Sequence, residues 1–333
     1  MDFIELSDGA MRLNSLMAVT IGIIVLFVGK RINDAVGFLR EFSIPEPVTG
    51  GLLFSILIGI VYGLSGIAIE FDLATRDVLL VYFFTTIGIN ASLKDLLSGG
   101  KPLVILLAIT IAYMFLQNLT GISIAALFDL PGAVGMLGGS VSLIGGHGTA
   151  IAWAPRIAEE FNISNAMEIG IACATFGLIL ASLMGGPIAT FLINRHKLQP
   201  EKVEPQDVGL SETQRKTGIG YLDFLDAVLA IHICIIAGMI LNEGLTNAGL
   251  QLPLFVTCLF AGILITNLIP DNFPRIICTK WPSRTPSFSM IADIALGTFL
   301  AMSLMRMQLW TLIDLAGPIF TILAIQFVVA VLI

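Results

Sequence analysis

The 24 residues Gly132–Pro155 read GAVGMLGGSVSLIGGHGTAIAWAP, and their reading decides the fold. The stretch is apolar enough for a membrane, yet it holds seven glycines: Gly132, Gly135, Gly138, Gly139, Gly145, Gly146 and Gly148. Ser140, Ser142, His147 and Thr149 sit among them. Glycine costs about 1 kcal/mol relative to alanine in a helix interior, so this density predicts broken, closely packed backbone. Broken backbone cannot face lipid, because its polar groups would find no partner there. The stretch is therefore expected inside protein, lining something wet.

The rest of the chain supports a membrane setting. It has 333 residues, 56% hydrophobic and 12% charged, with a mean hydropathy of +0.94. Soluble domains carry about 25% charged residues, so the composition reads as an all-α polytopic membrane protein embedded in a lipid bilayer. The net charge of −7 says little about partners, because loop placement outweighs the sum. The acidic start MDFIELSDGA has no basic region, and no cleaved signal peptide is read there. Cys173, Cys234, Cys258 and Cys278 show no metal or redox spacing and read as buried free thiols. No phosphate loop, nucleotide motif or metal-ligand spacing occurs, so neither a nucleic-acid partner nor an organic cofactor is expected.

A membrane span needs about 20 mostly apolar residues. On that rule spans are expected near 14–29, 48–64, 78–93, 103–128, 166–194, 222–241, 253–270, 288–305 and 316–333. The stretch 132–155 stands apart as a re-entrant hairpin. Its two arms of about ten residues, or about 15 Å each as helix, would reach halfway through a hydrocarbon core of about 30 Å. Lysine and arginine in short loops set orientation. With the N-terminus outside, 13 of the 17 basic residues fall on the cytoplasmic side, and only Arg12, Arg76, Arg156 and Arg306 fall outside. A full span at 132–155 would reverse every later loop, so the charge bias supports the hairpin independently of its glycines.

Arg195–Gly218 is polar and rich in Pro, Gln and Glu, which predicts a cytoplasmic linker over 195–218. It separates a first repeat, 1–194, from a second, 219–333. Asp77–Ile109 aligns without gaps on Asp293–Ile325 at an offset of 216: Asp77 meets Asp293, Phe83 meets Phe299 and Pro102 meets Pro318. Five spans in the first half place the second half in opposite orientation. Two inverted-topology repeats of about five helices, each with a re-entrant hairpin, are the architecture of many secondary transporters. The same offset sets Ile333 opposite Gln117. The second repeat is therefore incomplete here, ending before its own hairpin and last helix, and truncation is the expected reason.

The site is expected at the hairpin tip. Ser140, Ser142, Gly145, Gly146, His147, Gly148 and Thr149 offer N–H groups and hydroxyls to a carboxylate. The blander reading assigns the same glycines to close helix packing. His147 could carry protons or donate a structural hydrogen bond, and both stay open. Intramembrane polar residues are functional candidates by default. Asn90 in TIGINAS and Thr175 in ACATFG lie beside glycines, and Gln117-Asn118 could supply amide oxygens to a cation. Asp226 and Asp293 lie close to expected helix starts, where an interfacial cap is an equal reading.

At these residues the chain resembles the glutamate:sodium symporter family. The resemblance is carried by GGSVSLIGGHGTAIAW (Gly138 to Trp153), IPEPVTGGLL (Ile44 to Leu53), FFTTIGINA (Phe83 to Ala91), Gln117-Asn118, ACATFGL around Cys173, and FLAMSLM (Phe299 to Met305). It covers essentially the whole chain. It implies sodium-coupled uptake of L-glutamate across a bacterial inner membrane by a homodimer whose transport domain moves against a scaffold. It implies no enzyme activity. Within transport, another organic anion such as a hydroxycarboxylate, or proton coupling through His147, is the alternative. A membrane-embedded enzyme using Ser142 or His147 would need an acid or metal partner that the sequence does not offer. A passive channel fits broken inverted repeats less well than alternating access does.

Overall fold

The computed structural model describes residues 4–7, 10–41, 44–197, 220–268, 281, 284–307, 312 and 315–333. Each of the nine expected spans is helical: α1 (Ser15–Ala35), α3 (Glu46–Ser65), α4 (Ala74–Asn90), α6 (Gly100–Leu127), α10 (Ala166–His196), α11 (Tyr221–Asn247), α12 (Leu254–Leu268), α13 (Pro286–Met305) and α14 (Ala316–Leu332). Short helices α2 (Gly37–Glu41) and α5 (Leu93–Ser98) connect them. Among the described residues six helices (α1, α3, α6, α10, α11 and α13) are long and apolar enough to cross a membrane. The chain is thus a mostly helical, multi-pass membrane protein. The linker expected at 195–218 lies, from residue 198 onward, outside the described residues, as does Cys278. Cys173, Cys234 and Cys258 are free and buried.

One element has no counterpart in the sequence reading. Strand β1 (Ile4–Ser7) pairs antiparallel with β2 (Ala10–Leu13), which pairs parallel with β3 (Ala68–Phe71). β2 leads into α1 and β3 leaves α3, so the sheet ties together the start of one helix and the end of its antiparallel neighbour. Arg12 donates to Glu70 across it at 2.9 Å. Asn14 then caps α1, its side-chain oxygen accepting from the Met17 N–H at 3.0 Å.

The chain forms two compact units, and each draws on both sides of the linker. Unit 1 comprises Met1–Thr75, Ile105–Gln199 and Gly297–Ile333; unit 2 comprises Arg76–Val104 and Pro200–Leu296. Within unit 1, α1 and α3 pack as an antiparallel pair against the C-terminal part of α13. A Cβ on Gly51 of α3 would lie 2.3 Å from the Leu304 side chain, and Ser55 donates its hydroxyl to the Met307 carbonyl. Unit 2 holds the corresponding set. There α11 and α12 pack with α4 around Ile89, Ala227, Ala230, Ile231 and Cys234. A Cβ on Gly88 of α4 would lie 2.2 Å from the Leu259 carbonyl oxygen, and Asn267 of α12 donates to the Ala91 carbonyl at 2.9 Å. Ala91 and Met307 are separated by the 216-residue offset found in the sequence, and so are Gly88 and Leu304.

Candidate substrate and ion site

Gly132–Pro155 is broken twice. It forms α7 (Gly132–Leu137), a single turn α8 (Ser140–Leu143), and α9 (Gly146–Phe161). The first break falls at Gly138-Gly139 and the second at Ile144-Gly145, with Gly146 at φ +70°, a left-handed conformation that glycine adopts without Cβ strain. Helix α9 does not stop at Pro155 but runs six residues further to Phe161. The proline costs that helix one backbone donor without ending it, because apolar packing of Ala150, Ile151, Ala154 and Ile157 holds both flanking turns.

Helix α7 doubles back along the end of α6. Gly121 and Gly135 face each other so closely that a Cβ on Gly121 would lie 2.1 Å from the Gly135 carbonyl oxygen. Only glycine at both positions permits that approach. Next along, the Ser140 N–H donates to Asn118 Oδ1 at 3.0 Å, fixing the start of α8 on α6. Helix α9 then lies beside α10. The Ser142 hydroxyl donates to the Gly170 carbonyl at 3.0 Å, and His147 Nε2 meets Thr175 Oγ1 at 3.0 Å. The Thr175 hydroxyl spends its single proton on the Ile171 carbonyl at 2.9 Å. Its oxygen therefore accepts, and Nε2–H of His147 is the donor. Both ends of the broken segment share one apolar core, in which Leu130 and Ala133 lie with Ile157, Ile163 and Ala166.

Two rulers give the depth of the break. Asn118 lies nine residues before the end of α6 and Thr175 nine residues after the start of α10. At 1.5 Å per residue each is about 14 Å of helix. Ser142, His147 and Ser140 are buried there, while Thr149 is half-buried. Around the Gly146 Cα a Cβ would meet nothing within 4 Å, so the start of α9 opens on free space. The N–H groups of Gly146, His147 and Gly148 head a helix of 16 residues, and such an end attracts an anion.

The structure brings most of the predicted site residues together in unit 1: the tip residues, Gln117, Asn118 and Thr175. Asn90 belongs to unit 2, where its Oδ1 accepts the Arg284 N–H at 2.7 Å. It lines a cavity of about 490 Å³ with Ser92, Leu96, Ile263 and Arg284. Asp226 is half-buried and Asp293 exposed. The N-terminal acidic contact of α11 comes instead from Asp223, which accepts from the Gly220 N–H at 3.2 Å. Arg156 pairs with Glu160 at 2.7 Å.

Sequence reasoning missed Gln326. It lies in α14, donates Nε2–H to the Gln117 backbone carbonyl at 2.7 Å, and lines with Gln117 a cavity of about 180 Å³ beside Leu143 and Ile144. The side-chain oxygens of Gln117 and Gln326 are buried with no hydrogen-bond partner among the described residues. An unpaired buried acceptor costs about 1–3 kcal/mol. The available signal was a lone amide in the apolar run AIQFVVAV.

The profile of the family described as sodium/glutamate symporter matches residues 11–333. A sodium/glutamate symporter of Haemophilus influenzae is 36% identical over 307 residues, which cover 91% of this chain and 74% of the relative. One from Escherichia coli K12 is 35% identical over 320 residues, 95% of this chain and 78% of the relative. No solved structure matches the chain. A match across nearly the whole length means that the chain belongs to the sodium/glutamate symporter family.

Proposed function

We propose that the chain carries out sodium-coupled uptake of L-glutamate across the bacterial inner membrane by alternating access, as a homodimer with its N-terminus outside. Residues 132–155 enter and leave from the outer face as a re-entrant hairpin, within a first repeat of 1–194 facing an inverted second repeat of 219–333. The observation that carries this reading is the depth of the break. The start of α8 meets α6 at Asn118 and the start of α9 meets α10 at Thr175. Each lies about 14 Å along its partner helix, which is near the middle of a core of about 30 Å. The packing of α7 back along α6, the shared core at both ends of the segment, and the charge bias of the loops all favour re-entry. The matched contacts at Ala91 and Met307 favour inverted repeats.

In this reading the N–H groups of Gly146, His147 and Gly148, with the hydroxyls of Ser140 and Thr149 and the turn at Gly145, receive a substrate carboxylate. A helix start in a water-poor site binds an anion far better than the same groups do in bulk water. Ser142 and His147 hold the tip to α10 through Gly170 and Thr175. Gln117, Asn118, Thr175 and Asn90 remain the oxygen donors proposed for sodium. The coupling ion in this reading is sodium, as in the relatives' names, and His147 serves as a donor to Thr175.

The test is uptake of labelled L-glutamate into proteoliposomes under an inward sodium gradient, with aspartate and citrate as competitors. Saturable uptake that requires sodium and is displaced best by glutamate is expected. Uptake unchanged when sodium is replaced by choline would overturn the coupling, and preferential displacement by citrate would overturn the substrate.

A further inference from the structure

We propose that the side-chain oxygens of Gln117 and Gln326 form a sodium site, with Gln326 as a ligand that spans from α14 to α6. The proposal deepens the symporter reading and rests on its sodium coupling. Both oxygens are unpaired among the described residues, and the two residues are only 4% and 2% exposed. Their orientation is not arbitrary. The Gln326 amide nitrogen is bound to the Gln117 carbonyl at 2.7 Å, so its oxygen must point the other way. Gln117 and Gln326 line the same cavity, so two buried acceptors without a donor among the described residues border one space.

Two buried acceptors bordering one cavity call for a cation or an N–H donor. The cavity they share is otherwise lined mainly by carbon, from Leu143, Ile144, Leu180, Leu323 and Phe327, and it offers no carboxylate among its lining residues. Magnesium and calcium sites are built on carboxylates and hold several oxygens under strong charge. Neutral amide oxygens with room for water suit a singly charged hard cation instead. A volume of about 180 Å³ holds the waters that would complete its shell. The placement also connects ion to substrate. Gln117 is the neighbour of Asn118, whose Oδ1 holds the first N–H of α8. A cation drawing α14 onto α6 at this level would stiffen the tip that is proposed to receive glutamate.

The experiment is a thermal-stability titration of the purified chain in detergent, exchanging sodium chloride for choline chloride at constant ionic strength. Glutamate-induced stabilisation at saturating sodium is measured in parallel. Gln117→Met and Gln326→Met fill the space without the oxygen. Each is expected to raise the half-saturating sodium concentration about tenfold or more, the equivalent of one lost charge-assisted contact. Should a methionine variant fail to insert, Gln326→Glu decides: a site built on this oxygen then moves its sodium midpoint about threefold or more in either direction. An unmoved midpoint in folded variants overturns the site while leaving sodium-coupled glutamate transport standing. Loss of the glutamate response with an unmoved sodium midpoint also overturns it, handing the oxygens to the substrate's ammonium. Sodium stabilisation that depends on both glutamines, without any glutamate response, supports the site and removes the symporter reading instead.

Discussion

Unit 1 and unit 2 use the same polar residue types around different backbones. In unit 2 the helices are continuous, and side-chain bonds occur both inside them, as between Tyr82 and His232, and at their ends. Asn267 closes the end of α4 through the Ala91 carbonyl and the Leu93 N–H, Thr266 reaches the Ile89 carbonyl at 3.0 Å, and Asn242 reaches Leu252 at 2.9 Å. Unit 1 carries Asn118 and Gln326 in the interior of α6 and α14, and Ser142 and His147 at the breaks of a backbone that is interrupted twice. A polar group at a helix end satisfies backbone that any helix exposes. In unit 1 the same duty falls to side chains that tether a broken segment, as Asn118 does for the Ser140 N–H and Ser142 for the Gly170 carbonyl. The broken backbone, and not the polar side chains alone, is what separates the two units.

The largest effects should not respect this difference, because packing is equally tight in both units. Gly135→Val places its Cβ 2.3 Å from the backbone of Gly121, and Gly88→Val places it 2.2 Å from the Leu259 carbonyl oxygen. Backbone cannot yield as a flexible side chain can, so each variant should cost more than about 3 kcal/mol and remove most monodisperse protein. Size-exclusion profiles after detergent extraction read this directly. A well-folded Gly135→Val protein that merely fails to transport would show that the glycine pair serves the site and not the packing.

At the next level the units should part. Asn267→Ala strips partners from both Ala91 and Leu93 and is expected to lower stability by about 2 kcal/mol, with sodium and glutamate affinities unchanged. Ser142→Ala removes one bond to Gly170 and should cost only about 1 kcal/mol of stability. It should nevertheless reduce uptake more than Asn267→Ala does, because the tip loses its tether to α10. Thermal melts paired with initial uptake rates at saturating sodium separate the two. Equal losses of uptake in both variants would erase the functional distinction drawn from the broken backbone.

How much of this was legible beforehand follows the range of the forces involved. The nine apolar segments and the broken backbone within Gly132–Pro155 are local properties, set by side-chain transfer and glycine backbone freedom, so they could be read directly. Two breaks, at Gly138-Gly139 and Ile144-Gly145, nevertheless stand where a single tip between two arms of about ten residues was expected. The gapless alignment sets Ala91 opposite Met307, but nothing in it announced that Asn267 donates to one carbonyl and Ser55 to the other. The N-terminal sheet escaped notice because four-residue strands give too little alternation to detect, and β2 finds its parallel partner beyond three helices. Helix α9 ran past Pro155 because tertiary packing outweighed a local breaker. Gln326 was missed for the opposite reason. Its meaning lies in a contact with Gln117, 209 residues away, which no local pattern announces.

His147 offers the smallest effect and the sharpest discrimination, because it is deep yet its geometry is structural. Its Nε2–H is held by a threonine oxygen whose own proton is committed elsewhere, so the ring behaves as a fixed donor. A glutamine can present an amide N–H to the same oxygen. His147→Gln is therefore expected to change stability by less than about 1 kcal/mol, because one neutral donor replaces another. It should also leave the pH profile of glutamate uptake with the shape of the wild type. A proton-carrying histidine predicts the reverse: His147→Gln would flatten the profile between about pH 5 and 8, the range in which an unperturbed imidazole titrates. Initial uptake rates across that range, with the sodium gradient held constant, decide between them. A flattened profile would move His147 from the group that shapes the tip to the group that does the coupling.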